Sequence, residues 1–155
     1  MVDAFTILPA TGIGKLPFGS TREDTRRLFG EPTEVISGEE TDGEIWIYEE
    51  MAAALSFAGE HDFRLVSCET FHRSAILAGE RLIGSPAAEA EAALRALKIE
   101  EFETVRDEDG AITQIAIPHV GVNLWVEDGV VESIGWQVLL AEDEEPLWPE
   151  VLPLV

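Results

Sequence analysis

Apolar and polar residues alternate with a period of two along much of this chain, the pattern of half-buried strands. In the first half the alternation predicts strands over residues 33–37, 45–49, 53–57 and 63–70. A Glu- and Gly-rich loop over 37–43 separates the first two, and 59–62 reads as a hairpin between the last two. The second half predicts four more strands, over 101–106, 111–117, 121–126 and 130–138. Asp109-Gly110 and Asp128-Gly129 mark tight hairpins there, because Asp and Gly tolerate positive φ.

Two segments change to a helical pattern, and each follows a Gly-Ser pair. Phe18-Gly19-Ser20 opens the first and Ile83-Gly84-Ser85 the second, 65 residues further on. In the first helix Ser20 is placed to cap, Glu23 to close a capping box, and Gly30 with Pro32 to stop the helix. In the second, Ser85 caps, Pro86 takes the first helical position where its missing N–H costs nothing, and Ala- and Leu-rich helix runs over 87–98. Residues 3–17, with Pro9, Gly12, Gly14 and Pro17, read as a lead-in. The expected fold is therefore α+β in a single domain: two tandem helix-plus-antiparallel-meander repeats, about 16–72 and 81–138, forming one sheet layer with the helices on one face. Residues 139–155 carry the charge run Glu142-Asp143-Glu144-Glu145 and a proline-broken apolar stretch, so they are expected to lie extended as a tail, on their own domain or on a partner.

Charge narrows the partners. The 155 residues hold 31 acids and 10 bases, net −21, and every Lys and Arg lies between Lys15 and Arg106. From Asp107 onward there are eleven acids and no base. Nucleic acid and anionic membrane surfaces are disfavoured, since both need clustered Lys and Arg. A basic protein would be drawn in by this field; the other reading is that the acidity only keeps the chain soluble. A lone cysteine, Cys68, allows no internal disulfide. Met1-Val2-Asp3-Ala4-Phe5 lacks the basic and apolar regions of a secretory signal, and no run of about 18 apolar residues occurs, so the expected location is the cytoplasm.

Motifs for chemistry are weak. Gly12-Ile13-Gly14 and Gly14-Lys15-Leu16 lack the remaining residues of dinucleotide and phosphate loops. Asp107-Glu108-Asp109-Gly110 imitates a calcium loop, but Val105 and Ala116 stand where its end ligands belong. Glu69-x-x-His72 falls on a strand end and has no second copy, while His61 and His119 stand apart. Cys68 reads as core filling. No cofactor or metal, and no catalytic residue, is predicted.

Aromatic residues form the one constellation that suits binding. Ile45 and Ile47 take one face of their strand and Trp46 and Tyr48 the other; Val122, Leu124 and Val126 oppose Asn123, Trp125 and Glu127. If the aliphatic faces meet the helices, Trp46, Tyr48, Asn123, Trp125 and Glu127 form an open, acid-ringed protein-binding surface. The alternative is that the aromatics pack on each other or under the tail.

The Gly-Ser starts, Leu28-Phe29-Gly30-Glu31-Pro32, Trp46-Ile47-Tyr48, Leu55-Ser56-Phe57, Leu124-Trp125-Val126 and Val131-Glu132-Ser133-Ile134 together resemble the tandem repeat of β-lactamase-inhibitor-like proteins. The first half also resembles small outer-membrane assembly lipoproteins of the SmpA/OmlA kind. The resemblance spans roughly residues 16–138 and implies a protein-binding module whose sheet offers a concave face. The functional expectation is thus a non-enzymatic, cytoplasmic, acidic binding module, of immunity or inhibitor type, that neutralises a basic protein. The second expectation is a small hydrolase or ligand-binding enzyme using carboxylates. Oligomeric state is left open.

Overall fold

A computed structural model of the chain describes residues 6–9, 11–37, 43–77, 79–97 and 101–148. The loop expected over 37–43 lies almost wholly outside the described residues, as do residues 3–5 of the lead-in, the last residue of the second expected helix and the end of the tail, 149–155.

Three short strands come first: β1 (Thr6–Leu8), β2 (Gly12–Ile13) and β3 (Leu16–Pro17). Helix α1 (Arg22–Phe29) follows, then β4 (Glu34–Ser37), β5 (Glu44–Tyr48), β6 (Ala53–Ala58) and β7 (Arg64–Thr70). After the two-residue β8 (Ile76–Leu77) come α2 (Ala87–Ala96), β9 (Glu103–Arg106), β10 (Ile112–Ile117), β11 (Val122–Glu127) and β12 (Val130–Gln137). The main sheet has eight antiparallel strands in the order β4-β5-β6-β7-β12-β11-β10-β9. A second sheet of four, β3-β2-β1-β8, includes the parallel pair β1–β8.

The expected α+β architecture of two helix-plus-meander repeats, with helices covering one face of one sheet layer, is overturned: the chain is mostly β. Geometry gives the reason. Helices of 8 and 10 residues are about 12 and 15 Å long. Eight strands about 4.8 Å apart make a sheet about 34 Å wide, which two such helices cannot cover. The supposed lead-in, paired with β8, supplies a second sheet in their place. Ile7, Ile13, Leu16 and Leu77 from it are all buried in the common core. The Trp136 indole N–H donates to the Gly12 carbonyl at 2.8 Å, so the two sheets are joined at a buried hydrogen bond.

Register carries the core across the main sheet. Trp46, Leu55, Cys68, Trp136, Val122 and Ile117 are cross-strand neighbours in one row, and all six are buried. The next row, Tyr48, Ala53, Thr70, Ile134, Leu124 and Ile115, is buried as well. Burial pushes the Cys68 thiol well above its ordinary pKa, in keeping with a small hydrophobe rather than a nucleophile. Register shifts interrupt β6–β7 between Ser56 and Phe57, and β11–β12 between Trp125 and Val126. The first leaves Val66 unopposed, which is why Leu65 and Cys68 share the core face although simple alternation separates them.

Local signals were mostly placed within a residue or two. Asp128 (φ 51°) and Gly129 (φ 78°) make the two-residue hairpin between Glu127 and Val130. The caps differ. Thr21, not Ser20, caps α1, accepting from the Asp24 amide at 3.1 Å while Asp24 accepts from the Thr21 amide. Ser20 instead turns back to donate to the Pro17 carbonyl at 2.6 Å. Pro86 stands at the N-cap of α2, which has no side-chain cap.

Candidate functional site

The expected aromatic surface divides in two. Trp46 (0% exposed) and Tyr48 (5%) do not face solvent; they lie on the core face, and Ile45 (39%) is the exposed member of their strand. Helix α1 covers them. Phe29 meets Tyr48 edge-on at 5.9 Å, and the Arg26 guanidinium lies 4.7 Å from the centre of the Trp46 ring. Both polar handles are satisfied: the Tyr48 hydroxyl donates to the Gly30 carbonyl at 2.9 Å, and the Trp46 indole donates to Glu44 at 3.0 Å. That indole bond, with help from Arg22 and against partial burial, holds the Glu44 carboxyl below its ordinary pKa. The two aromatics therefore leave the proposed surface as structural residues.

Asn123, Trp125 and Glu127 do lie on the face away from the core. Trp125 is 41% exposed, while Val122, Leu124 and Val126 between them are buried. Neighbouring strands complete this open face. Ile47, Ala54, Glu69, Gly135, Asn123 and Ala116 form one row across it, and Ser133, Trp125 and Gln114 form the next. Ser133 donates to a Glu69 carboxylate oxygen at 2.8 Å, and the Gln114 amide donates to Asn123 at 2.7 Å. Gly135 leaves room beside the indole: a Cβ placed there would lie 3.4 Å from Trp125 Nε1.

Small residues at the centre hollow out this face. Ala54, Ser56, Ser67 and Gly135 floor a groove of about 230 Å³, walled by Ile45, Glu69 and Trp125. It continues through Ile45 and Ser56 into a second hollow of about 300 Å³ that reaches Ile36 on the edge strand. Beyond Trp125 stands an acidic corner. Glu132 hydrogen-bonds Glu127, and that bond, with the charges of Glu127, Glu69 and Asp128, holds its carboxyl above the usual range. Glu132 is the extra residue of the β11–β12 register shift, so the bulge sets it beside Glu127. Both members of the pair are exposed at the surface.

Glu69, Ser133, Gly135 and Glu132 were missed from the sequence. The alternation of Ser67 and Glu69 with buried Cys68 and Thr70 is the signal for the first; the others depend on cross-strand register. Within the Glu69-x-x-His72 spacing, Glu69 accepts from Ser133, and His72 Nδ1 accepts from the Ser74 amide at 3.0 Å. Among the described residues no cluster of three metal-ligating side chains occurs, and no helix is long and apolar enough to cross a membrane.

No protein-family model matches the chain, and no curated protein matches it. Among solved structures, its fold is similar to that of an extracellular protein containing a SCP domain from Bacillus anthracis str. Ames, with a TM-score of 0.53 at 12% identity over 77% of this chain. The chain spans 43% of the length of that protein. At this identity the likeness concerns the fold alone.

Proposed function

We propose that the open face of the eight-stranded sheet is a protein-binding surface and that the chain is a non-enzymatic acidic module that captures, and by capture inhibits, a basic protein. The observation that carries this reading is Trp125. A tryptophan 41% exposed, beside a groove floored by small residues and rimmed by acids, has the character of a binding anchor. The base-free stretch from residue 107 onward supplies the field that would steer a cationic partner. The cytoplasm belongs to the same proposal, since the lone thiol, Cys68, has no partner for a disulfide.

The test is capture from host lysate on the immobilised protein, followed by kinetics on the purified partner. The wild-type chain should retain a basic protein in stoichiometric amount. Trp125→Ala should weaken that complex by about 2 kcal/mol or more, chiefly through faster dissociation. Neutralising acids between residues 127 and 145 should instead slow association and flatten its salt dependence. A complex indifferent to Trp125→Ala contradicts the reading.

A further inference from the structure

The molecule uses one arrangement repeatedly: an arginine that lies over an aromatic ring and also pairs with a carboxylate. Arg22 sits 4.2 Å from the centre of the Phe63 ring and 3.1 Å from Glu44. Arg26 sits over Trp46 and 3.2 Å from Glu31. Arg95 lies 5.4 Å from the Phe102 ring and 3.9 Å from Glu91. At Trp125 the ring and the carboxylates are present and the arginine is missing. Among the described residues no cation lies over its indole.

We infer that the groove beside Trp125 receives an arginine side chain of the partner protein, with its guanidinium stacked on the indole and its N–H groups shared among Glu69, Glu127 and Glu132. This rests on the reading of the open face as a protein-binding surface and names what that surface grips. Glu69 walls the same groove as Trp125, and it accepts a hydrogen bond from the single hydroxyl of Ser133. Glu127 is two residues along the strand, and Glu132 leans on it carboxyl to carboxyl. Two carboxyls held that way repel one another, and an arriving guanidinium relieves that repulsion. Arg73, the basic residue bordering the adjoining hollow, lies against Gly84 and forms no ion pair with Glu127 or Glu132. Arginine fits better than lysine. Its planar guanidinium can stack and fork to carboxylates at once, whereas an ammonium is a strongly hydrated point charge.

Three capped tripeptides test this on the ¹⁵N-labelled full chain: Leu-Arg-Leu, and the same peptide with lysine or with citrulline, which has arginine's shape without its charge. Titrations are run at about 0.15 M salt, where the Debye length of about 8 Å suppresses diffuse attraction. The arginine peptide should shift the Trp125 indole N–H and the amides of Glu69, Glu127 and Glu132. It should bind about tenfold more tightly than the lysine peptide, and citrulline should leave those signals in place. Trp125→Ala should abolish the response while the rest of the spectrum keeps its dispersion, and Trp125→Phe should retain part of it. Equal response to arginine and citrulline would overturn the guanidinium site yet leave the face as a binding surface. Shifts centred on residues 142–145, or no shifts near Trp125, would also overturn the site. The protein-binding reading stands or falls separately, on whether Trp125→Ala weakens the captured complex.

Discussion

Trp46 and Trp125 occupy strands that read almost alike, each a tryptophan between aliphatic residues, and they end on opposite faces of one sheet. In Glu44–Tyr48 the tryptophan is buried and Ile45 is exposed; in Val122–Glu127 the tryptophan is exposed and Leu124 is buried. The difference comes from register. Trp46 is opposite Leu55 and, through it, Cys68, in a row that ends in the core. Trp125 is opposite Ser133 and Gln114, two polar residues that share the open face with it. A side chain's face is thus set by the row it joins across strands, not by its own hydrophobicity.

The largest expected effect is on the buried side. Trp46→Ala should cost about 3–5 kcal/mol in urea unfolding, since it opens a cavity in a fully buried row. A loss below about 1 kcal/mol would place Trp46 outside the core.

Next is the layer that covers this face. At Gly12 (φ +153°) an added Cβ would lie 2.1 Å from the Leu16 carbonyl oxygen, against backbone that cannot swing aside. Gly12→Ala should cost about 1–3 kcal/mol and loosen the bond from Trp136, visible as faster exchange of that indole proton. Unchanged stability and exchange would mean that the small sheet does not clamp the core.

Tyr48 gives a pH-dependent version of the same contrast. Burial, and then the Glu31 carboxylate, push its phenol up to about 12 from an ordinary value of 10.0. The folded state favours the neutral phenol, so this contribution is complete below about pH 10 and is lost as pH rises from about 10 to about 12. Tyr48→Phe should cost about 1 kcal/mol near pH 7 through the lost bond to Gly30. The deficit should shrink by about pH 11, where wild type loses the phenol's contribution and the variant has nothing to ionise. An equal gap at both pH values, measured by urea midpoints, would contradict this environment for Tyr48.

Smallest should be Trp125→Ala, which should change stability by no more than about 0.5 kcal/mol. A cost near that of Trp46→Ala would show that Trp125 is core, and would remove the anchor from the proposed surface.

The strands of the main sheet were legible because alternation and turn residues are local signals, and Asp128-Gly129 fixed its hairpin without help from distant contacts. The small sheet was not. Its strands are two or three residues long, too short to show a period, and β1 pairs with Ile76–Leu77 far along the chain. The candidate site was half legible. Asn123, Trp125 and Glu127 were placed correctly because Val122, Leu124 and Val126 mark the opposite face. In β5 every candidate from Ile45 to Tyr48 is apolar or aromatic, so alternation alone could not say which pair is buried. Bulges add a second difficulty, because one extra residue, such as Val66 or Glu132, reverses the parity of everything beyond it. The covering helices were read as the whole second layer for a related reason: their caps are local, but the width they must cover is set by strand pairing.

Which tryptophan meets solvent decides which face of the sheet is open, and the indole N–H signals report this directly. With the four assigned by single Trp→Phe variants, a soluble nitroxide should broaden the Trp125 signal most and leave Trp46 and Trp136 sharp, since these two are 0% and 2% exposed. A Trp125 signal as protected as that of Trp46 would contradict the register, the open face and the binding surface built on it.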